Sequence, residues 1–337
     1  MLYRADPFCI GLAAYLYLSL SPRDDAMTTN LPPTGQSDLW KPNRALSKWS
    51  QRAIVALFGV FAFISVATTI GIVLSLLFEA VEFFREVPIW RFLTDRQWTP
   101  LFSNPQFGIF VLLSATFLTS IIAIVVALPL GLLSAIYLSE YASPKLRRVL
   151  KPALEILAGV PSVVFGYFAL LLVTPFLQFF IPGLSGFNGL SAGIVLGISI
   201  TPLVASLSED AIYAVPDSLR NGSYALGLTK RETIFGVVLP AALSGIVASV
   251  ILAISRAVGE TMIVSLAAGQ NPNLTLNPFV PIMTMTAYIV QVSLGDTPAG
   301  SLAYKSIFAV GMTLFLVTLV FNIFSFWYVR KYRETYE

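Results

Sequence analysis

The 337-residue sequence contains no histidine, a single cysteine and few charged residues. Without histidine, and with only Cys9, the chain lacks an imidazole base, a His or Cys metal cluster, an internal disulfide and a thiol redox pair. We therefore expect neither an enzyme nor a bound cofactor or metal. Charged residues make up 12% of the chain, against roughly 25% in soluble domains. Hydrophobic residues make up 56% and the mean hydropathy is +0.78, which excludes a soluble enzyme and indicates a membrane protein.

The charges cluster and leave uncharged stretches that can cross a bilayer, since ~20 helical residues span ~30 Å of hydrocarbon. The 53 residues of Ile156–Ser208 exceed one crossing, and the prolines and glycines near their middle predict two helices joined by a turn. A further span is predicted from Ala241, after a break at Leu239-Pro240, to Gly269. Three more stretches complete a predicted all-α polytopic membrane protein with six transmembrane helices: Ala53–Phe78, Phe107–Ser139 and Ser306–Val329.

Lysine and arginine are concentrated in alternate loops, which indicates the orientation of the spans. Basic residues near span ends are retained in the cytoplasm. Most of the 21 basic residues precede the first span, follow the last, or lie between the second and third or the fourth and fifth: Lys41, Arg44, Lys48, Arg52, Lys145, Arg147, Arg148, Lys151, Arg220, Lys230, Arg231, Arg330, Lys331 and Arg333. We therefore expect both termini to be cytoplasmic.

Residues 1–52 are predicted to form an N-terminal extension and cytoplasmic tail, followed by the transmembrane domain at 53–337. The apolar stretch within 1–26 lacks a convincing signal-cleavage site, and Met27 is a second plausible start. We expect these first 26 residues to have no role in the fold. An interfacial N-terminal anchor is the alternative.

Two segments on the opposite side of the membrane have distinctive compositions. Glu79–Gln106 mixes aromatic residues with charges, which is typical of an aromatic belt at the headgroup level. A partner-docking surface is the alternative. Ile282–Leu294 is mostly apolar but, at 13 residues, too short to cross, so we expect it to lie flat or to re-enter the membrane in part.

The long cytoplasmic segment 209–238 has a helical pattern without the apolarity of a membrane helix. A proline ends the preceding helix, Asp217 or Ser218 can cap the next one, and Gly227 can stop it. The pattern therefore predicts a short helix over Ser218–Leu226, then a turn and a second helix. A connection of this length is uncommon in a compact domain, which favours a docking element over an ordinary polar loop.

The stretch Asn221-Gly-Ser-Tyr-Ala-Leu-Gly227, followed by Val237-Val-Leu-Pro240, resembles the cytoplasmic loop motif of binding-protein-dependent ABC importer permeases. That motif is Glu-Ala-Ala-x-x-x-Gly, then nine residues and Ile-x-Leu-Pro. The chain has Asn-Gly-Ser in place of Glu-Ala-Ala and keeps the glycine spacing and the Leu-Pro pair. Further stretches resemble the phosphate-specific permeases of this family, the last of them closer to the PstC than to the PstA type: Ile136–Ala142, Leu157–Gly166, Leu207–Ala211, Ala225–Lys230 and Arg256–Val264.

The resemblance implies a type I, MetI-like permease bundle in a bacterial inner membrane, with a coupling loop at 209–238. It also implies four partners: a second, PstA-like permease, two cytoplasmic PstB-like ATPases and an extracytoplasmic PstS-like phosphate-binding protein. In this family the short helix docks in a groove of the ATPase, which hydrolyses the ATP. The residues that match the docking motif and its surroundings are Ser218, Leu219, Arg220, Asn221, Ser223, Tyr224, Ala225, Leu226, Gly227, Leu239 and Pro240.

Two opposite charges lie in the fifth predicted span. Arg256 and Glu260 are four residues apart, so in one helix they share a face. Each would cost ~2.5–3.5 kcal/mol if exposed to lipid at the membrane centre, so we expect both to face the bundle interior. A guanidinium suits an oxyanion such as the implied phosphate, and Glu260 would pair with Arg256 when the path is empty. A structural ion pair is the alternative.

The third predicted span contains Gly159, Pro161 and Ser162. A proline inside a span frees a backbone carbonyl, which is tolerated where protein or water covers it. We therefore predict that Ser162 lines the phosphate pathway, and a simple packing kink is the alternative.

Two other classes of protein compete with an ATP-driven importer. An ion-coupled secondary anion transporter would bind anion and proton at the two charges, but it predicts an internal repeat that the sequence does not show. A membrane-embedded enzyme would need a nucleophile or metal set, which the lack of histidine disfavours. No GxxxxGK[ST] nucleotide loop occurs in the sequence, so an ATP-driven process requires another chain.

Overall fold

The computed structural model describes residues 44–102, 104–295, 297, 298 and 300–332. The predicted extension at 1–26 lies outside the described residues. The chain divides into two compact units, Met1–Val66 and Ala67–Glu337. The described part of the first unit is the beginning of one long apolar helix, exposed from Trp49 onward. The other features described below belong to the second unit.

The described residues are helical apart from their loops and one isolated β-bridge between Trp98 and Phe107. The helices are α1 Arg44–Glu86, α2 Ile89–Thr94, α3 Ile109–Ile136, α4 Pro144–Ala158, α5 Ser162–Phe168, α6 Thr174–Phe180, α7 Gly189–Tyr213, α8 Asp217–Ala225, α9 Lys230–Thr233, α10 Leu239–Val258, α11 Met262–Ala267, α12 Met285–Leu294 and α13 Leu302–Tyr332. Three π-helical turns extend or join them: Tyr137–Tyr141, Ala169–Val173 and Ile234–Val238.

Six helical stretches of the described chain are long and apolar enough to cross a membrane. They confirm the predicted all-α polytopic class and the predicted number of spans. In chain order they are Trp49–Glu86, Ile109–Tyr141, Ser162–Phe180, Gly189–Tyr213, Lys230–Val258 and Leu302–Tyr328.

The second and fourth spans, α3 and α7, form the centre of the bundle because glycines let their backbones approach closely. A Cβ atom at Gly197 would lie 2.6 Å from the carbonyl oxygen of Ala123. A Cβ atom at Gly193 would lie 2.7 Å from Ile122, and one at Gly131 would lie 2.7 Å from Val204. Small residues at such contacts are the usual means of packing membrane helices, since lipid supplies no hydrophobic drive between them.

The fifth span differs from its predicted bounds at both ends. Leu239 and Pro240 do not break the helix: Pro240 lies in the first turn of α10, where its missing N–H is tolerated, and a π-turn joins α10 to α9. The span ends at Val258 rather than near Gly269, because Gly259 caps the C-terminus of α10 and a separate short helix begins at Met262. The prediction of one helix through Glu260 is therefore wrong.

The third span also begins later than predicted. The apolar residues before Gly159 belong to α4, which ends at Ala158, and the span itself starts at Ser162 directly after Pro161. Pro161 is thus not a kink inside a membrane helix. It separates an amphipathic helix without buried residues from the membrane span.

Three aromatic residues of the first outer segment belong to an interior cluster rather than to the predicted aromatic belt. Phe83, Phe92, Trp98 and Phe107 are buried and pack edge to face, with ring centroids 5.2–6.2 Å apart. Trp98 also meets the ring of Tyr288 at 5.0 Å. Edge-to-face contacts of this kind stabilise a core beyond the burial of area alone. Trp90 and Phe102, by contrast, are exposed.

The short apolar segment around Tyr288 forms α12, which at ten residues is too short to cross a membrane, as predicted. It does not lie on the surface. Five of its residues are buried, and the helix packs on α13 and α11. Tyr288 shares a 2.6 Å hydrogen bond with Ser306 of α13.

Candidate translocation site and docking helix

The three predicted pathway residues lie at or next to the ends of membrane helices. Arg256 is in the last turn of α10 and is exposed. Glu260 is half-buried in the interruption between α10 and α11, and Ser162 is half-buried at the start of α5. The elements α5 and α11 pack against each other, since a Cβ atom at Gly166 would lie 2.7 Å from Leu266. Ser162, at the start of α5, and Glu260, just before α11, therefore lie on elements that pack against each other.

Arg256 and Glu260 do not form the ion pair that a shared helix would favour. No ion pair between the two is present in the described chain, and the interruption at Gly259 takes Glu260 off the helical face of Arg256. The Glu260 carboxylate instead accepts the backbone N–H groups of Met262 at 3.1 Å and Ile263 at 3.5 Å. It therefore caps α11, and Arg256 forms no ion pair with a carboxylate of the described residues.

The interruption at Glu260 is supported by α12. The backbone carbonyl of Glu260 accepts a hydrogen bond from Thr286 Oγ1 at 2.7 Å. Thr286 is buried and also shares a 3.1 Å hydrogen bond with Thr284. Irregular backbone is tolerated at membrane depth where protein satisfies its polar groups or where it lines a water-filled cavity. The short helix thus satisfies the carbonyl that the broken span leaves without a helical partner.

The predicted docking helix is present as α8, within one residue of its predicted bounds at each end. Its N-cap is Pro216, so the predicted capping by Asp217 or Ser218 is wrong, and Asp217 occupies the first turn instead. Gly227 ends the helix with a φ of +83°, a left-handed conformation that favours glycine. The second predicted helix, α9, begins at Lys230 after a capping box formed by Thr229 and Glu232.

The predicted docking residues divide into an outer and an inner set. The outer set is exposed and includes Leu226, whose exposed fraction is 85%, and Tyr224 at 43%. Its other members are Ser218, Asn221, Ala225, Gly227 and Pro240. The inner set comprises Leu219, Arg220, Ser223 and Leu239, which are buried or half-buried. The outer set is therefore the more accessible of the two to a partner chain.

The inner set joins α8 to the membrane spans through polar contacts. Arg220 forms an ion pair with Glu140 at the end of the second span and donates to the carbonyl of Ile212 at 2.8 Å. Ser223 is buried and donates to Thr233 of α9 at 2.9 Å. Lys230 donates to the carbonyl of Glu140 and lies 4.6 Å above the ring of Tyr141.

A second charged network lies at the end of the fourth span. Glu209 is fully buried and pairs with Arg147 and, at 2.7 Å, with Lys151, both on α4. Lys151 also contacts Asp210 at 2.6 Å. Burial lowers the pKa of Lys151, but the hydrogen bonds to Asp210 and Glu209 outweigh it and raise the pKa above its ordinary value of 10.5. Lys151 is therefore charged at neutral pH and ties α4 to α7.

Sequence reasoning missed the structural roles of Glu140 and Glu209. Each carboxylate directly follows a long uncharged stretch, and this position at the end of a span is a signal by which the sequence could have identified it. Their partners, Arg220 and Lys151, lie 80 and 58 residues away along the chain. Pairings over such separations follow from helix packing and are not encoded in local spacing.

Six apolar spans packed as a helical bundle, with an exposed amphipathic helix between the fourth and fifth, are typical of integral membrane transport permeases. Residues 127–334 match the family described as binding-protein-dependent transport system inner membrane component, and the chain belongs to this family. The chain is thus an ABC transporter permease, a multi-pass membrane component of an importer. Neither the family nor the relatives below favour a secondary transporter.

Curated relatives match most of the chain. A protein named as a probable ABC transporter permease, YqgH of Bacillus subtilis, is 34% identical over 83% of this chain and 90% of its own length. The phosphate transport system permease protein PstC of Mesorhizobium japonicum is 35% identical, covering 68% of this chain and 75% of its own. The PstC protein of Haemophilus influenzae is 31% identical, covering 83% and 92%. These proteins confirm the predicted resemblance to PstC-type permeases.

Among solved structures, the inward facing MetNI methionine ABC transporter is similar to this chain, with a TM-score of 0.50 and 20% sequence identity. The match covers 67% of this chain and 95% of that one. This likeness concerns the fold, and it confirms the predicted MetI-like bundle.

Proposed function

We propose that this chain is one of two permease subunits of an ATP-driven importer of inorganic phosphate. The observation that carries the proposal is its similarity, at 30–35% identity, to several proteins named as PstC phosphate transport permeases. The guanidinium of Arg256, which forms no ion pair with another described residue, supports it, because a planar cation binds a tetrahedral oxyanion through two parallel hydrogen bonds.

The partners in this proposal are a second, PstA-like permease, two PstB-like ATPases and a PstS-like phosphate-binding protein. The ATPases hydrolyse ATP, since this sequence contains no glycine-rich nucleotide loop. The outer set, which lies on and directly after α8 except for Pro240 on α10, is the surface offered to one ATPase, with Asn221 where the family motif has glutamate. The concentration of basic residues in alternate loops supports a cytoplasmic location for α8 and for both termini.

The phosphate pathway in this proposal runs between the two permeases. Arg256 is exposed on this chain, and an arginine on a membrane span costs ~2.5–3.5 kcal/mol when it faces lipid at the centre. A second permease that covers α10 would remove the residue from lipid and enclose it in a shared path. Ser162 begins α5 and Glu260 lies just before α11, so a hydroxyl and irregular backbone at two neighbouring helix ends provide polar groups for a passing anion.

In the transport cycle, closure of the two ATPases around ATP moves the two docking helices. The bundles then rock between inward- and outward-facing states, as in other rigid-body switches. Phosphate delivered by the binding protein passes Arg256 and leaves towards the cytoplasm. The chain itself carries out no chemical step.

Affinity purification of the tagged full-length chain in mild detergent tests this function. We expect a second six-span permease and an ATPase to co-purify, and the complex in proteoliposomes to take up phosphate only with ATP and the binding protein. Uptake that persists without an ATPase and follows an ion gradient would contradict the proposal and support a secondary transporter. ATP-driven uptake of a different solute would contradict the assignment of phosphate.

Leu226→Asp is expected to weaken retention of the ATPase. An exposed leucine that becomes buried in a partner contributes ~1.5–3 kcal/mol, so its replacement by a charge lowers the affinity by at least ~10-fold. Co-purification of the ATPase at increasing salt measures the effect. Leu294→Asp is the matched control, since Leu294 is equally exposed at 83% but lies on α12. Equal retention in both variants would show that Leu226 does not contact the ATPase.

A further inference from the structure

The ion pair between Arg220 and Glu140 connects the docking helix to the second span rather than to a partner chain. The side chain of Arg220 is 15% exposed and that of Glu140 is 6% exposed. Glu140 lies in the π-turn Tyr137–Tyr141, which extends α3. The sequence motif places Arg220 among the residues that dock on the partner. In the structure, its side chain instead contacts the spans of its own chain.

Each member of the pair also forms a hydrogen bond with a neighbouring helix. Lys230 of α9 holds the backbone carbonyl of Glu140 and covers the ring of Tyr141. The guanidinium of Arg220 also holds the carbonyl of Ile212 at the end of α7. Beneath these contacts, a small apolar core contains residues from the ends of three spans and from α8: Ala135, Ile212, Val215, Val238, Ala242, Ile246, Leu219 and Leu239.

We infer that Glu140 and Arg220 are positioning residues that make the docking helix and the cytoplasmic end of the second span move as one body. The inference rests on the proposed ATP-driven function. An ATPase that moves the outer set of α8 would then move α3, the central helix that packs along α7. Without the pair, α8 would still bind the ATPase through its outer set, but its displacement would be transmitted less completely.

The two charges suit this role because leaving either of them unpaired in this poorly solvated position is unfavourable. When one member of a buried ion pair is removed, the remaining charge stays in a poorly solvated place, and the contact loosens. The second ion-pair partner of Arg220 is Asp217 at 3.7 Å, which is almost fully exposed and screened by solvent. The ion pair with Glu140 is therefore the contact that orients the guanidinium of Arg220.

The first test compares Glu140→Gln, Arg220→Gln and their combination in the complete complex in proteoliposomes. We expect each single variant to retain the ATPase and to lower the number of phosphate ions transported per ATP by at least fivefold. The combination should be no worse than either single variant, because both remove one shared interaction. Arg220→Lys should recover part of the ratio. Unchanged ratios, or losses that multiply in the combination, would overturn the inference.

A matched control is Glu86→Gln, which neutralises a carboxylate paired with Lys305 at 2.8 Å outside the docking region. It should leave the transport ratio unchanged. A similar fall in this control would mean that any lost ion pair impairs the bundle, and it would overturn a specific role for Glu140.

A second test keeps the pair intact and joins its exposed neighbours. In a Cys9→Ser background, which removes the single native cysteine, Tyr141→Cys and Lys230→Cys are linked by a short bismaleimide. If the two elements move as one body, the linked complex transports at more than half the unlinked rate. Lys230 lies on α9, which packs on the docking helix α8. If these two helices must separate from the second span, linking stops transport and the inference fails. A wild-type complex without ATP-driven uptake would instead contradict the proposed function.

Discussion

Arg256→Gln is expected to reduce ATP-driven phosphate uptake by ~10- to 150-fold, which corresponds to the loss of a hydrogen bond to a charged group worth ~1.5–3 kcal/mol. The side chain forms no ion pair with another described residue, so its replacement leaves no buried partner unsatisfied. The complex should therefore assemble normally. Uptake of radiolabelled phosphate by proteoliposomes, together with co-purification of the ATPase, measures both properties.

Two further variants separate binding geometry from charge. Arg256→Lys keeps a point charge without the planar fork of donors, and we expect intermediate uptake. Arg330→Gln neutralises an exposed arginine near the end of α13 and should transport like the wild type. Normal uptake by Arg256→Gln would remove Arg256 from the pathway. Failure of that variant to assemble would assign Arg256 a structural role.

Gly197→Val is expected to prevent the second and fourth spans from packing. Its Cβ atom would lie 2.6 Å from the carbonyl oxygen of Ala123 and 2.7 Å from Val126. A backbone oxygen cannot rotate away as a side chain can, so the two helices must separate. Overpacking in cores costs ~1–3 kcal/mol and occasionally more. We expect a lower unfolding temperature in detergent and a reduced yield of monodisperse protein.

Gly71→Val is the control for this packing prediction. Gly71 also lies inside a membrane helix, but a Cβ atom there would meet nothing within 4 Å. The same change of helix propensity is therefore introduced without the clash. Equal unfolding temperatures for the two variants would show that close approach at Gly197 does not limit stability.

The spans were predictable from the sequence because a bilayer imposes a length and an apolarity on any helix that crosses it. The docking helix was predictable as well, since a proline before α8 and Gly227 after it act on their own local backbone. The exact end of the fifth span was not. Gly259 and Glu260 interrupt it through a glycine cap and a side-chain cap, and both residue types also occur inside continuous helices.

The aromatic segment Glu79–Gln106 shows a second limit of prediction from sequence. Its mixture of rings and charges fits a membrane interface and a protein interior equally well. The outcome depended on Tyr288, which lies far along the chain and supplies a buried ring next to Trp98. The composition of a segment indicates the environments in which it is stable, whereas its burial depends on the residues that other segments pack against it.

Local rules acting within about one helical turn, and the demand of hydrocarbon for internally bonded backbone, were enough to define the helical class, the number of crossings and the place of the docking helix. Tertiary packing alone decided that Arg220 faces Glu140 and that Lys151 pairs with Glu209. The physical reason is distance along the chain: a side chain on one span finds its partner on another only after the helices have packed, and glycines such as Gly197 determine how closely they can do so.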